Sequence, residues 1–386
     1  VSQPPVPFRF EFPPAAVAEL RQRLARTRWP DELEGEDSAA GLPLDQARAL
    51  VEYWREGFDF AAAEARLNRY PQYRIDIDGL DLHYVHIRSP HAHARPLLMT
   101  HGWPGSVLEF FEAAPRLTEP ERYGGDAADA FHLVLPSLQG YGGSPPARKP
   151  GMSPRQIGRR QARLMQELGY ERYVLQGGDW GSVVSHYIAV DDARHVDGLH
   201  LNMVTFAPPR DLAAAMKQVR PQELAWLAAA EAHRRDGMGY YRQQSTRPQT
   251  LAYALTDSPA GWCAWIGEKY GGWSDGATVD RDTLLTQVSL YWFTDSIASG
   301  IRLYREFAQS LQRKEPPGKV TVPTGFACYP NEIVRMPRAW CEAAYPLIHW
   351  SEPPRGGHFA ALEQPRLFAE DLWAYARKLR AHEQER

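Results

Sequence analysis

Apolar positions in the first part of the chain recur at helical spacing, punctuated by proline. A Pro-rich arm runs from Pro4 to Pro14, after which Val17, Leu20 and Leu24 share one face of a helix predicted over 15–27. Two further helices are predicted over 44–56 and 60–69, with Pro13 and Pro14 as an entry and Pro30 and Pro71 as exits. The period then shortens to alternation, and runs 73–78 and 82–88 read as a hairpin turned at Asp78-Gly79.

Beyond the hairpin, short apolar runs alternate with amphipathic stretches. Strands are predicted over 96–100, 131–136, 173–176, 196–203, 320–329 and 346–350, and helices over 154–168, 179–191 and 365–379. Such alternation predicts an α/β fold, a mostly parallel sheet with helices on both faces. Between the fourth and fifth of these strands lies segment 207–315, rich in Trp, Tyr and Ala and readable as several helices. Its size and place predict a lid over the carboxyl edge of the sheet. The organisation expected is an N-terminal extension over 1–75, a first core part over 76–206, the lid over 207–315 and a second core part over 316–386.

Composition narrows the function. A formal net charge of −3, with no Lys/Arg run interleaved with aromatics, argues against nucleic acid as a partner. Cys263, Cys328 and Cys341 are too widely spaced for a disulfide framework or a zinc cage, which suits a reducing cytoplasm. No apolar stretch is long enough to span a membrane, and the opening Val-Ser-Gln-Pro-Pro-Val-Pro lacks the charged and apolar regions of a signal peptide. The expectation is a soluble, cytoplasmic protein, although a start at Val1 leaves room for a removed upstream piece. His83, His86, His91 and His93 are spread along a strand and loop and form no ligand set, so neither metal nor organic cofactor is expected.

Three loops carry the candidate chemistry. Gln176-Gly177-Gly178-Asp179-Trp180-Gly181-Ser182 joins a predicted strand to a small-residue helix, which would lift Asp179 alone above the sheet on a strained turn. A Gly-x-Asp-x-Gly pattern also fits an ordinary loop, so its weight depends on its companions. One is His101-Gly102-Trp103-Pro104-Gly105-Ser106, after the first core strand. The other is Arg355-Gly356-Gly357-His358-Phe359, after the last. A carboxylate on such a turn can attack a saturated carbon unaided, and the ester formed can be hydrolysed at its own carbonyl carbon by a base such as His358. Glu332 is the first carboxylate after the fifth core strand and the candidate to orient that base, with Glu342 and Glu352 as competitors. In α/β-hydrolases the oxyanion hole takes backbone N–H groups from the two turns, here Trp103 and Trp180.

These blocks, in this order, resemble the α/β-hydrolase-fold epoxide hydrolases, in particular the microsomal-type branch with an N-terminal meander. The resemblance covers almost the whole chain. Phe8-Arg9-Phe10 through Leu24-Ala25-Arg26-Thr27-Arg28-Trp29-Pro30 is similar to that branch's extension. The resemblance implies two lid tyrosines that hold the epoxide oxygen. Gln244-Ser245-Thr246-Arg247-Pro248 points to Tyr240, with Tyr241 as the alternate, and Arg302-Leu303-Tyr304-Arg305-Glu306 gives Tyr304. It also implies Glu332 as the acid, no cofactor, a vicinal diol product and a homodimer. The hydrophobic anchor of the animal members is not seen, so a soluble, bacterial-like or fungal-like member is the better match.

A haloalkane or haloacid dehalogenase on the same fold would share Asp179 and His358 but has no need of two lid phenols. A ligand-binding protein that kept the fold without turnover is the rival from another class. Trp262, Trp265, Trp273 and Trp292 in the lid suggest a large aromatic pocket, with Trp292 and Tyr241 as lining candidates. Aryl or extended apolar epoxides are therefore favoured, in detoxification or natural-product biosynthesis.

Overall fold

A computed structural model describes residues 4–35, 40–204, 206, 209, 211–276 and 278–385. Among these residues nine strands form one sheet: β1 (Val6–Pro7), β2 (Gln72–Ile77), β3 (Leu80–Ile87), β4 (Arg95–Thr100), β5 (Phe131–Pro136), β6 (Tyr173–Gly177), β7 (Val196–Leu201), β8 (Thr324–Ala327) and β9 (Leu347–Ser351). Their order is β1-β2-β3-β5-β4-β6-β7-β8-β9. Strands β1, β2, β3 and β5 pair antiparallel, and from β5 to β9 every pairing is parallel. Leu97 lies beside Leu133 and Val174, and Leu98 beside Val134 and Leu175; all are fully buried, as a sheet covered on both faces requires. The chain leaves β4 for β5 on one side and returns to β6 on the other. The loops after β4 and β6 therefore emerge side by side at the carboxyl edge, where sheets of this kind place their sites.

Three strand expectations change. β8 covers Thr324–Ala327, not 320–329, because Pro323 has no N–H for the ladder and offers only its carbonyl, which accepts from Leu199 N at 3.0 Å and Tyr375 Oη at 2.9 Å. β7 ends at Leu201, short of 203, where the Asn202 side chain turns to accept from Gln176 Nε2 at 2.9 Å. The Pro-rich arm also supplies an edge strand: β1 pairs with β2, and Phe8 and Phe10 then pack on the buried His83 ring, at 4.8 and 5.2 Å between centroids.

Among the described residues seven α-helices lie between β7 and β8: Leu212–Met216, Pro221–Ala232, Gly239–Thr246, Pro248–Asp257, Pro259–Trp273, Arg281–Phe293 and Ile297–Gln312. Three N-terminal helices, Pro14–Ala25, Leu44–Glu56 and Phe60–Leu67, hold this group in place. Trp54 Nε1 donates to Ser289 Oγ at 2.9 Å, Arg66 Nη1 to Thr283 Oγ1 at 2.7 Å, and Phe12 meets Phe293 at 4.6 Å between centroids. The C-terminal helix Pro365–Gln384 is tied to the sheet by Asp371, which receives His200 Nε2 of β7 at 2.7 Å and His349 Nε2 of β9 at 2.9 Å. Among the described residues no helix is long and apolar enough to cross a membrane.

Candidate active site

Asp179 caps the helix Trp180–Asp191 with φ 47° and ψ −127°, a conformation that L-residues adopt only under constraint. The constraint is the close packing of this turn on the end of β4. A Cβ at Gly181 would stand 1.8 Å from the Thr100 carbonyl oxygen, so glycine alone lets the helix start there. The turn thus projects the Asp179 carboxylate clear of the sheet.

Its two oxygens face different partners. Oδ1 accepts from the backbone N–H of Trp103 at 2.8 Å, and Oδ2 lies 3.3 Å from His358 Nε2. Trp180 opens the helix, where first-turn N–H groups have no intrahelical acceptor. The other nitrogen of His358, Nδ1, is 2.6 Å from Glu332 Oε1, which also accepts from Ile333 N at 2.8 Å. His358 is 5% and Glu332 7% exposed, so this pair is shielded from solvent. Burial opposes a charge on His358, but Glu332 on one nitrogen and Asp179 on the other outweigh it. The imidazole is held well above its ordinary value. The competitors Glu342 and Glu352 lie elsewhere, paired with Arg338 and Arg220 at 2.7 and 2.6 Å.

The loop that carries His358 is built around Glu363, four residues beyond the block read from the sequence. Glu363 accepts from the backbone N–H groups of Asp275, Gly357 and Phe359 at 2.6, 3.1 and 2.9 Å, and from Thr278 Oγ1 at 2.9 Å. Asp275 in turn receives Gly356 N at 2.8 Å and Asn331 Nδ2 at 2.6 Å, and His358 N donates to the Trp273 carbonyl at 2.9 Å. The segment between β7 and β8, the Glu332 loop and the His358 loop are thereby one hydrogen-bonded unit.

On its other side Asp179 borders a cavity of about 270 Å³ lined by Tyr240, Tyr241 and Tyr304 and by apolar side chains including Val183, Met203, Met238, Phe307 and Met336. Tyr240 and Tyr304 stand nearly perpendicular, 5.9 Å between centroids. Burial first, and then the Asp179 carboxylate, hold the Tyr240 hydroxyl well above its ordinary value; burial, Tyr240 and Asp179 do the same for Tyr304. Both phenols therefore stay protonated and able to donate. Tyr241 is raised by the same two causes, burial and Asp179, and sits 5.2 Å from the Tyr304 ring. Tyr240 is also the more firmly held of the neighbours. It stacks on Trp103 at 5.5 Å with 9° between planes, and the buried Lys269 Nζ lies 4.7 Å from its centroid.

The lid tryptophans divide. Trp292, expected at the pocket, is placed away from it and packs edge-on against Trp54 of the N-terminal region, because the face of its helix that carries it turns toward the extension. Trp262 and Trp265 spend their indole N–H groups on Val288 O and Gln244 Oε1. Trp273 alone reaches the centre, 5.1 Å from the His358 ring and 6.2 Å from that of Trp103. A further acidic side chain, Glu109, borders Asp179 and His358 from below.

Chemically, the arrangement is a carboxylate with a backbone donor at one oxygen, an imidazole–carboxylate pair at the other, and two protonated phenols across an apolar cavity. The family models described as "Epoxide hydrolase N terminus" and "alpha/beta hydrolase fold" match residues 5–110 and 95–263. A putative epoxide hydrolase of Stigmatella aurantiaca is 45% identical over 381 residues, covering 97% of this chain and 85% of that one. The juvenile hormone epoxide hydrolase of Bombyx mori superposes with a TM-score of 0.90 at 31% identity, covering 98% of this chain and 96% of that one. An epoxide hydrolase of Aspergillus niger superposes with a TM-score of 0.88 at 33% identity, covering 98% and 97%. This chain belongs to the epoxide hydrolase family and carries its α/β-hydrolase fold.

Proposed function

We propose that the protein converts an apolar epoxide, aryl or extended, to a vicinal diol through a covalent ester on Asp179. The observation that carries this reading is the place of Asp179, between the two phenols on its cavity side and His358 at 3.3 Å from Oδ2. Strain activates the ring, but its oxygen leaves poorly until it receives a hydrogen bond or a proton. Tyr240 and Tyr304 supply it from the lid while Asp179 attacks the ring carbon from behind. Tyr240 is favoured over Tyr241 because it is fixed by its stack on Trp103 and by Lys269 over its ring.

The ester is then hydrolysed at the Asp179 carboxyl carbon. His358, oriented by Glu332, takes a proton from water, and the backbone N–H groups of Trp103 and Trp180 receive the oxyanion. Methionine and aromatic side chains around the cavity favour an aryl ring or an apolar chain over a small polar epoxide. A single turnover in water enriched in heavy oxygen tests the ester route. The first diol should carry an unlabelled new oxygen, drawn from Asp179, and later diols a labelled one. Label in the first diol would mean direct attack by water and would overturn the reading.

A further inference from the structure

His358 does not border the cavity that holds the two phenols. It opens instead, with Asp179, on a second and much smaller chamber on the sheet side of the carboxylate, of about 20 Å³. That is room for one water molecule and for no epoxide. Its polar lining includes Asp179, His358, Glu109, His101 and Asn202, and Phe359 and Phe368 are among its apolar walls.

Glu109 has no part in the chemistry described so far. It lies on a single turn of 3-10 helix, Val107–Phe110, capped by Ser106, whose Oγ accepts from Leu108 N at 3.2 Å. The His101–Ser106 turn is shaped to admit that carboxyl. A Cβ at Gly105 would stand 1.3 Å from Glu109 Oε1, so the glycine leaves the space that the carboxyl occupies. Burial, with Asp179 adding to it and His358 opposing it, pushes Glu109 up to about 8. At neutral pH it is therefore an uncharged carboxyl that both donates and accepts, which suits it to hold a water beside a base without repelling Asp179.

We propose that Glu109 is a positioning residue that holds the hydrolytic water in this chamber, between His358 and the carboxyl carbon of Asp179. Water and epoxide then reach Asp179 from opposite sides, and the two half-reactions have separate rooms. The inference rests on the ester reading above. In the step it serves, the water oxygen bonds to Cγ of Asp179 as His358 Nε2 takes one proton. The bond from Cγ to the alkyl oxygen then breaks and the leaving alkoxide takes that proton; the second proton of the water leaves the new carboxyl and replaces the one given to the epoxide oxygen, and one water oxygen stays in the carboxylate. A water confined to one site would also exclude larger nucleophiles from the ester.

The test separates the two steps. Wild type, Glu109→Ala, Glu109→Gln and, as a control, His358→Gln are mixed with styrene oxide, and intact mass is followed on the millisecond to minute scale. Ester formation in Glu109→Ala should stay within about threefold of wild type, while ester breakdown slows by about 100-fold and the adduct accumulates. Glu109→Gln, which keeps the size and both hydrogen-bonding capacities, should recover most of the breakdown rate. Unimpaired breakdown in Glu109→Ala, or an equal loss in both steps, would overturn the role of Glu109 while the adduct in His358→Gln left the ester reading standing. Absence of any adduct in His358→Gln would overturn both.

Discussion

Asp179 Oδ2 stands 3.3 Å from Nε2 of His358, so the proposed nucleophile is also part of what keeps the proposed base protonated. Forming the ester removes the Asp179 charge, and the proton affinity of His358 must then fall toward what Glu332 alone sustains. The base is thus released by the step that creates its substrate. Glu332→Gln removes the other supporting charge. Its ester breakdown should lose about 10- to 100-fold from misorientation, and the acid limb of that step should move to lower pH, because His358 would lose its proton more easily. The pH profile of single-turnover breakdown checks both effects.

The phenols act on the earlier step. Tyr304→Phe and Tyr240→Phe should each slow ester formation by about 100-fold and leave breakdown within about threefold, since the oxygen they serve has already become a hydroxyl. Tyr241→Phe should alter KM more than ester formation, because Tyr241 lines the cavity without the Trp103 stack and the Lys269 contact that fix Tyr240. Stopped-flow traces for the three variants decide between the neighbours.

Gly181→Ala places a methyl group against the Thr100 carbonyl and so cannot keep the turn. The variant should lose about 1–3 kcal/mol of stability by denaturant unfolding and nearly all ester formation, since Asp179 would leave its donor on Trp103.

Acid should loosen the attachment of the N-terminal arm. His83 is fully buried against Ser137, Gln72, Phe8 and Phe10, and burial lowers it from its ordinary 6.5 to about 3. The unfolded chain takes up a proton there below 6.5 while the folded chain does not, so stability is full above that pH and falls as pH drops toward about 3. The slope from this one group is about 1.4 kcal/mol per pH unit. In His83→Gln, unfolding free energies measured between pH 7 and pH 4 should show a shallower decline, by roughly that slope.

The reacting loops were legible because each has a local signature at the end of a strand. Strand–Gly-x-Asp-x-Gly–helix marks Asp179, and chain order marks His358 and Glu332. What the sequence hid depends on neighbours far apart in the chain. Glu109 reads as an ordinary acidic residue in a helical turn, and only its fit into the space over Gly105 makes it a site residue. Trp273 and Trp292 have the same composition signal, yet one faces His358 and the other Trp54, because helix rotation is set by tertiary packing. Glu363 carries no signal of its own, since its partners at 275 and 278 come from the segment between β7 and β8. β1 escaped notice because two residues among prolines carry no period of their own, and pairing with β2 creates the strand.

The most direct test of the account is the intact mass of His358→Gln after mixing with styrene oxide. With the base removed the ester should persist, and the protein should gain the whole mass of the epoxide, a gain abolished when Asp179→Ala is added. An unchanged mass in His358→Gln, or a gain that survives Asp179→Ala, would contradict the assignment of Asp179 as the nucleophile.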